Sequence, residues 1–448
     1  MATGRLQAIS PWPSEPDLPA SSGVRYLYIL AVYLAAPLIS LVMLWRGLFD
    51  RIYWAHFEER FGFGESLPPG GIWVHAVSVG EVNAAAALVT TLHERYPNIP
   101  LLVTTLTPTG AVRAKALFEE IAQVRYIPFD LPGSVRRFFR RVQPRLGVIF
   151  ETELWPNLYY QSGRRKVPLV LASARISNRS VSRYRRLGSL FRDTLERPAI
   201  VAAQGEVDAG RFVSLGADPD RTHVTGNIKF DFSVPQDIGE RGRRLREFYA
   251  ASRPMWVAGS THGGEEEIVL EAHQIVRGAH PRALLAVVPR HTPRFEEVAH
   301  GLQRAGIRFV RRSQRAGEKA GVAAGSADVL LVDTLGELLD FYAAADVAFV
   351  GGSLVPIGGH NLLEPAALGL PILTGPYNGN GPDIAKLLIE RGAAEVVHGA
   401  EELGTRVAAL LADPEERDRI GAIGRDCVDS NRGALGKLLG LIEPLLRG

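Results

Sequence analysis

Glu81 is the first residue in this chain whose type and position together suggest chemistry. It follows Ile72-Trp-Val-His-Ala-Val77, an apolar run that reads as a buried strand. Ser78-Val79-Gly80 then reads as a tight turn, and Val82 to His93 as the helix beyond it. A carboxylate therefore sits at the mouth of a strand-to-helix turn, where open α/β sheets hold their ligands. A phosphate-binding turn would place glycines here, so that backbone N–H groups could approach the anion. A carboxylate repels phosphate but accepts a proton from a hydroxyl, which is the task of a general base. An acid in the first turn of a helix is also favoured by the helix dipole, and this segment alone admits both accounts.

The second half of the chain repeats the strand–turn–helix pattern with different chemistry. In Met255-Trp-Val-Ala-Gly-Ser-Thr-His262 small residues form the turn, open to a ligand or simply capping the helix that starts at Glu265. Pro289-Arg290 ends a buried strand with a planar cation suited to phosphate, whereas Arg294 also fits a helix surface. The strongest local signal is Phe349-Val-Gly-Gly-Ser-Leu-Val-Pro-Ile-Gly-Gly-His-Asn-Leu-Leu-Glu-Pro-Ala366. Two glycine pairs permit close backbone approach, and His360-Asn361 precede a helix carrying Glu364, spaced to grip ribose hydroxyls. This segment reads as a nucleotide site. Thr334-Leu-Gly-Glu-Leu338 fits either backbone contacts to a base or an ordinary capped helix start. No His, Asp or Glu cluster has metal-ligand spacing, and no Asp-x-Asp motif occurs where a metal-dependent sugar-nucleotide enzyme would carry one, so no metal is expected. Arg290 and helix N-termini would then offset the charge of a leaving phosphate.

These residues need a scaffold. The 448 residues, 46% hydrophobic and 22% charged, suffice for two or three domains. A net charge of +3 does not point to nucleic acid, and a single cysteine, Cys427, excludes an intrachain disulfide. Arginine is concentrated locally, at Arg136, Arg137, Arg140 and Arg141, at Arg164-Arg165-Lys166 and at Arg183 to Arg186. These runs fit a solvated face or contact with anionic lipid. Residues 1–23, rich in Pro, Ser and Ala, read as a disordered extension, and 24–46 as a membrane anchor helix. From Tyr26 this segment carries no charge over roughly 20 residues, the length needed to span hydrocarbon, while Pro37 also fits a kinked helix lying in one leaflet. Arg46, Arg51 and Arg60 bias the C-terminal side toward the cytoplasm. Beyond the anchor, apolar runs alternate with amphipathic stretches. The first series comprises 72–77, 101–105, 124–126, 146–150, 169–172 and 200–203, and the second 256–258, 284–288, 329–332, 347–350 and 372–373. The expectation is an α/β chain of two Rossmann-like domains, 47–235 and 236–448, with a ligand cleft between them, the pattern of GT-B glycosyltransferases.

As a set, the motifs resemble the bacterial 3-deoxy-D-manno-octulosonic acid (Kdo) transferases of lipopolysaccharide biosynthesis. The matching pieces are Trp73 to Glu81, Thr104 to Gly110, Glu151-Thr-Glu-Leu-Trp-Pro-Asn157, Thr225-Gly-Asn-Ile-Lys-Phe-Asp231, Pro289 to His291 and Gly351 to Pro365. The resemblance implies a metal-independent, inverting GT-B enzyme without a cofactor. It would transfer Kdo from CMP-Kdo to a lipid A precursor such as lipid IVA at the cytoplasmic leaflet of the inner membrane. It also implies Glu81 as catalytic base and Glu151 with Lys229 as residues that stabilise the transition state, the division of roles between Glu151 and Glu153 staying open. Pro289, Arg290, Gly336, Glu337, Leu338, Asn361, Leu362, Leu363 and Glu364 match the family's CMP-binding elements. The first domain would be the acceptor side, with Arg136, Arg137, Arg140 and Arg141 favouring membrane contact. Two rivals differ in class: a GT-B enzyme using a uridine diphosphate donor, and a membrane-tethered nucleotide sensor.

Overall fold

A strand covered on both faces needs apolar residues at every position. Ile72–His75 (β1), Leu101–Thr105 (β2), Leu146–Phe150 (β4) and Leu169–Ala174 (β5) are buried throughout. With Gln123–Tyr126 (β3), Ile200–Ala203 (β6) and Thr222–Val224 (β7) they form a parallel sheet in the order β3-β2-β1-β4-β5-β6-β7. The structure, a computed structural model, describes residues 22–314 and 326–447. A second parallel sheet contains Met255–Thr261 (β8), Leu284–Pro289 (β9), Phe309–Arg311 (β10), Val329–Leu331 (β11), Val347–Val350 (β12), Ile372–Thr374 (β13) and Ala394–Val396 (β14). Its order is β10-β11-β9-β8-β12-β13-β14. In each sheet the first strand in sequence is flanked by its successor on one side and a later strand on the other. The strand order therefore reverses at β1/β4 and at β8/β12, the position where doubly wound sheets open a crevice beyond their carboxyl ends.

The first sheet has a core on each face. Ile72, Val74, Val103 and Val148 pack with Leu88 and Leu92 on one side; Trp73, Leu102 and Ile149 pack with Phe138, Phe139 and Leu158 on the other. Gly147 makes room for the Trp73 ring, since a Cβ there would lie 2.8 Å from Trp73 Cε3 and 2.6 Å from Leu169 Cδ2.

The chain divides into two compact units, and the division differs from the expected 47–235 and 236–448. The first unit runs to Phe232 and takes back the residues from Arg432 onward; the second is Ser233–Asn431. The returning helix, Ala434–Arg447, buries Leu438, Leu439, Ile442 and Leu446 in the first unit's core. The Asp231 carboxylate accepts the N–H groups of Gly433 (2.6 Å) and Leu435 (2.7 Å), satisfying donors that a helix start leaves open. A division at a single boundary could not show this return.

Residues 1–21 of the expected 1–23 extension lie outside the described residues, and the anchor segment is a longer helix than 24–46, Ser22–Phe49. It is long and apolar enough to cross a membrane. The arginines of helix Pro132–Val142 do not act alike. Arg136 and Arg140 are exposed, whereas Arg137 Nε donates to the Phe61 carbonyl (2.9 Å) and Arg141 Nε to the Gly64 carbonyl (3.0 Å). The latter two pin the segment 61–64 rather than face outward.

Replacing Asp231 by Ala removes a cap worth about 1 kcal/mol. Hydrogen exchange should then accelerate across 434–447 and not across 255–261; unchanged protection of 434–447 would refute the tether.

Candidate active site

The turn after β1 is built around the backbone of one residue, Val77. Ser78 opens the helix Val79–Arg95 in extended backbone without capping it. The Glu81 carboxylate instead folds back to accept the Val77 N–H (2.8 Å) and, more weakly, the Ser78 hydroxyl (3.3 Å). The carbonyl of Val77 accepts the N–H groups of Leu106 and Thr107 and the Thr107 hydroxyl, each at 3.2 Å. Thr107 is itself fixed as the N-cap of helix Pro108–Phe118, accepting the Gly110 N–H at 3.1 Å. A Cβ on Gly110 would sit 2.8 Å from that hydroxyl and 3.2 Å from the Val77 carbonyl, so glycine is required for the approach. The motif Thr104 to Gly110 thus holds the Val77 carbonyl, and the N–H of the same residue orients Glu81.

Burial pushes the Glu81 carboxyl up to about 7; the Val77 N–H opposes this, and the nearby carboxylates of Glu151 and Glu153 add to it. Glu151 comes directly after β4 and holds a left-handed backbone (φ 57°), a strained conformation for a residue with a side chain. It accepts Lys229 Nζ at 2.8 Å, with both side chains about one-fifth exposed. Lys229 lies in the short turn Ile228–Asp231 after β7, where Asn227 Oδ1 accepts its N–H (3.0 Å). Glu153 is engaged differently: it accepts Trp155 Nε1 at 2.7 Å, and burial raises its carboxyl. Asp130 secures this segment by accepting the N–H groups of Asn157 (2.9 Å) and Leu158 (2.8 Å). Glu81, Glu151 and Lys229 are therefore gathered at the β1/β4 reversal, with Glu151 rather than Glu153 bonded to the lysine.

The second unit gathers a different set at β8/β12. After β8, His262 Nε2 lies 2.8 Å from His360 Nε2, the rings stacked at 5.0 Å, and His291 meets His262 edge-on at 5.2 Å. One ring must donate and the other accept. Burial, then Arg290, pushes His360 down to about 4, and burial also lowers His262. Glu265, fully buried, accepts four N–H groups, those of His262 (3.1 Å), Gly352 (2.6 Å), Ser353 (3.0 Å) and Leu354 (2.8 Å). It folds the glycine loop onto the end of β8. A Cβ on Gly352 (φ 69°) would lie 2.8 Å from the His360 ring.

The expected nucleotide residues fall into three groups. Arg290 is exposed beyond β9 with its N–H held by the Thr261 carbonyl (3.0 Å), and its guanidinium hydrogen-bonds to no described residue. Asn361 donates to Glu364 (3.0 Å) and accepts the Leu363 N–H (3.1 Å); burial raises the Glu364 carboxyl and Arg290 lowers it. These three share one site. Leu362 and Leu363, at 3% and 1% exposure, are core side chains, as is the buried Pro289, so only their backbones can meet a ligand. Glu337 is occupied by Arg312 and Thr334, Leu338 packs beside Gly259, and Gly336 (φ 83°) shapes the turn between. Arg294 is no simple surface residue: it pairs with Glu266 (2.9 Å) and Glu297 (2.7 Å). Glu265 and His262 carry no sequence signal beyond their place near a strand end, because most of their partners lie far along the chain, and His291 is marked only as the end of the matching piece Pro289 to His291.

Residues 55–232 match the family model described as 3-deoxy-D-manno-octulosonic-acid transferase (kdotransferase). Over 426 residues the chain is 40% identical to the 3-deoxy-D-manno-octulosonic acid transferase of Haemophilus influenzae, covering 94% of this chain and 99% of that one. The chain belongs to the Kdo transferase family. A Bordetella pertussis relative of the same description is 38% identical over 435 residues, covering 94% of this chain and 99% of its own length. Among solved structures, the UDP-GlcNAc 2-epimerase of Neisseria meningitidis superposes with a TM-score of 0.55 at 14% identity, covering 84% of this chain and all of that one (100%). That likeness shows the shared two-unit GT-B fold. This Kdo transferase is thus a glycosyltransferase, and the turn that carries Glu81 lies within the matched segment 55–232.

A carboxyl raised by folding contributes stability while protonated. For Glu81 that contribution is complete below the unfolded value near 4.5 and is lost as pH rises through about 7. Glu81→Gln keeps an oxygen for the Val77 N–H and cannot ionise. It should raise Tm at pH 8, by the equivalent of about 1–3 kcal/mol, with the gain vanishing toward pH 4.5. A pH-independent difference would show that ionised Glu81 is not destabilised there.

Proposed function

We propose that this Kdo transferase moves Kdo from CMP-Kdo to a hydroxyl of a lipid A precursor of the lipid IVA type, with inversion and with Glu81 as general base. The observation that carries the reading is the half-buried Glu81 carboxylate, held by the Val77 N–H and raised to about 7, near the working pH where a general base is most effective. Glu81 takes the hydroxyl proton as the acceptor oxygen attacks the anomeric carbon. The bond from that carbon to the CMP phosphate oxygen breaks, and its electron pair leaves with CMP. The transition state resembles an oxocarbenium ion. Glu151 offers negative charge to that centre and orients Lys229, whose ammonium offsets the donor carboxylate or the departing phosphate.

The donor reading rests on the second unit. Arg290, with its guanidinium unclaimed, supplies a cation for the single phosphate of CMP, and Asn361 with Glu364 supplies a donor and acceptors for ribose hydroxyls. With protein cations in place, the reaction proceeds without a metal or a cofactor. The apolar helix Ser22–Phe49 holds the enzyme at the cytoplasmic leaflet of the inner membrane, where a lipid acceptor resides.

Glu81→Gln should lower kcat by about 10²–10⁴-fold while CMP binding stays within twofold, read by mass spectrometry of products from CMP-Kdo and lipid IVA. Chelator should leave wild-type turnover unchanged. Full turnover by Glu81→Gln would remove the base assignment, and transfer from a uridine diphosphate sugar instead would remove the donor.

A further inference from the structure

The helix Ser22–Phe49 is long enough to span a bilayer, yet it touches the first unit near its start and middle and the turn after it near its end. The Arg25 guanidinium lies over the Tyr160 ring at 3.1 Å. Tyr28 donates its hydroxyl to Asp130 Oδ2 at 2.8 Å. Tyr33, Ala36, Pro37 and Ser40 share a groove of about 440 Å³ with Phe61, Leu131 and Arg137. Trp54 Nε1 donates to the Leu44 carbonyl (3.0 Å), and its ring covers Gly47 so closely that a Cβ there would overlap it. At 100° per residue, positions 25, 28, 36, 40 and 47 fall on a single face. At 1.5 Å per residue they extend over roughly 33 Å, as long as the hydrocarbon core is thick.

The opposite face is apolar and bare. Leu27, Leu30, Leu34, Leu41 and Leu48 are each 55–71% exposed and recur at spacings of three, four and seven. A helix crossing the bilayer upright would draw its contacts into hydrocarbon with it, including Asp130 and Arg137, or would have to abandon them. A helix lying flat keeps every contact and still gives its leucines to lipid. The charge around it agrees, since exposed Arg136 and Arg140 lie close enough to Arg164 and Arg165 to repel the Arg165 guanidinium, a cluster suited to anionic headgroups.

We propose that helix Ser22–Phe49 lies in the plane of one leaflet, its leucine stripe among the acyl chains and its opposite face on the first unit, and does not cross the bilayer. The Rossmann-like unit replaces the polar face that an interfacial helix ordinarily presents to water. Both ends of the helix are then on the side of the catalytic units. This rests on the helix contacts and not on the reaction proposed above.

The test uses the full-length protein in inverted inner-membrane vesicles with Cys427→Ala, so that single cysteines can be placed. Gly23→Cys, where no neighbouring atom obstructs a Cβ, reports the helix start, and exposed Lys115→Cys reports the side of the first unit. A membrane-impermeant maleimide should label both without detergent and to similar extent. Labelling of Gly23→Cys only after detergent, with Lys115→Cys labelled freely, would overturn the proposal. A second readout places a fluorophore at Leu27, Leu34 or Leu41 and measures quenching by brominated lipids. Equal shallow depths are expected; a position 34 about 10 Å deeper than either flank would mean a spanning helix. Kdo transfer by each variant confirms folding, and a protein that transfers nothing but labels as expected would leave the topology standing while the reaction reading fails.

Discussion

A parallel sheet whose strand order reverses cannot close over its own carboxyl edge, because the connections from the two strands at the reversal leave to opposite sides. Both sheets of this Kdo transferase contain one such reversal, and the chemical groups lie at both. In the first unit the ends of β1 and β4 deliver Glu81 and Glu151 from segments 70 residues apart in sequence. In the second, the ends of β8 and β12 deliver His262 and the glycine loop. The remaining elements hold these edges in register. Trp73 lies across Gly147, and the returning helix Ala434–Arg447 covers the core beneath β1.

Of the two glutamates that follow the first strand of each sheet, Glu265 is fully buried and Glu81 half-buried, and hydrogen bonding sets them further apart. Glu265 receives four N–H groups, which satisfy its oxygens and turn it into the pin of the glycine loop. Glu81 receives one N–H and a long contact from a hydroxyl, and faces two further carboxylates. With so little to compensate burial, its carboxyl is pushed up to about 7, the range that suits the general base proposed above. Lys229 pairs with Glu151 at 2.8 Å, so the carboxylate that adds to the rise of Glu81 is itself bonded to a cation.

Central strands were legible in the sequence because burial on both faces demands unbroken apolar runs, and β1, β2, β4, β5, β9 and β12 all read that way. The edge strands β7, β10 and β14 were not legible. Each has three residues, and several are only half-buried, so neither alternation nor an apolar run marks them. The glycine loop stood out because its residue types conflict with a purely structural turn, whereas Glu81, which a helix start also explains, stood out only together with the other family motifs. Glu265 did not, since an acid at a helix start is ordinary, and its loop partners come 87 to 89 residues later. The leucines Leu362 and Leu363 matched a motif but serve the core, since motif membership does not distinguish a backbone contact from a side chain. The return of the C-terminal helix to the first unit depends on Asp231 meeting Gly433, a pairing 202 residues apart that no local pattern announces.

With the Glu81 carboxyl, raised by burial and by Glu151, as the proposed base, its protonation limits transfer on the acid side. The pH dependence of kcat/KM, with CMP-Kdo and lipid IVA as substrates, tests it most directly. The acid limb should have unit slope and a midpoint near 7. In Glu151→Gln, which removes one negative neighbour and leaves Lys229 unpaired, that midpoint should move to lower pH even as the plateau falls. A limb between 4 and 5 in the wild-type enzyme, or one that stays in place in Glu151→Gln, would contradict the account.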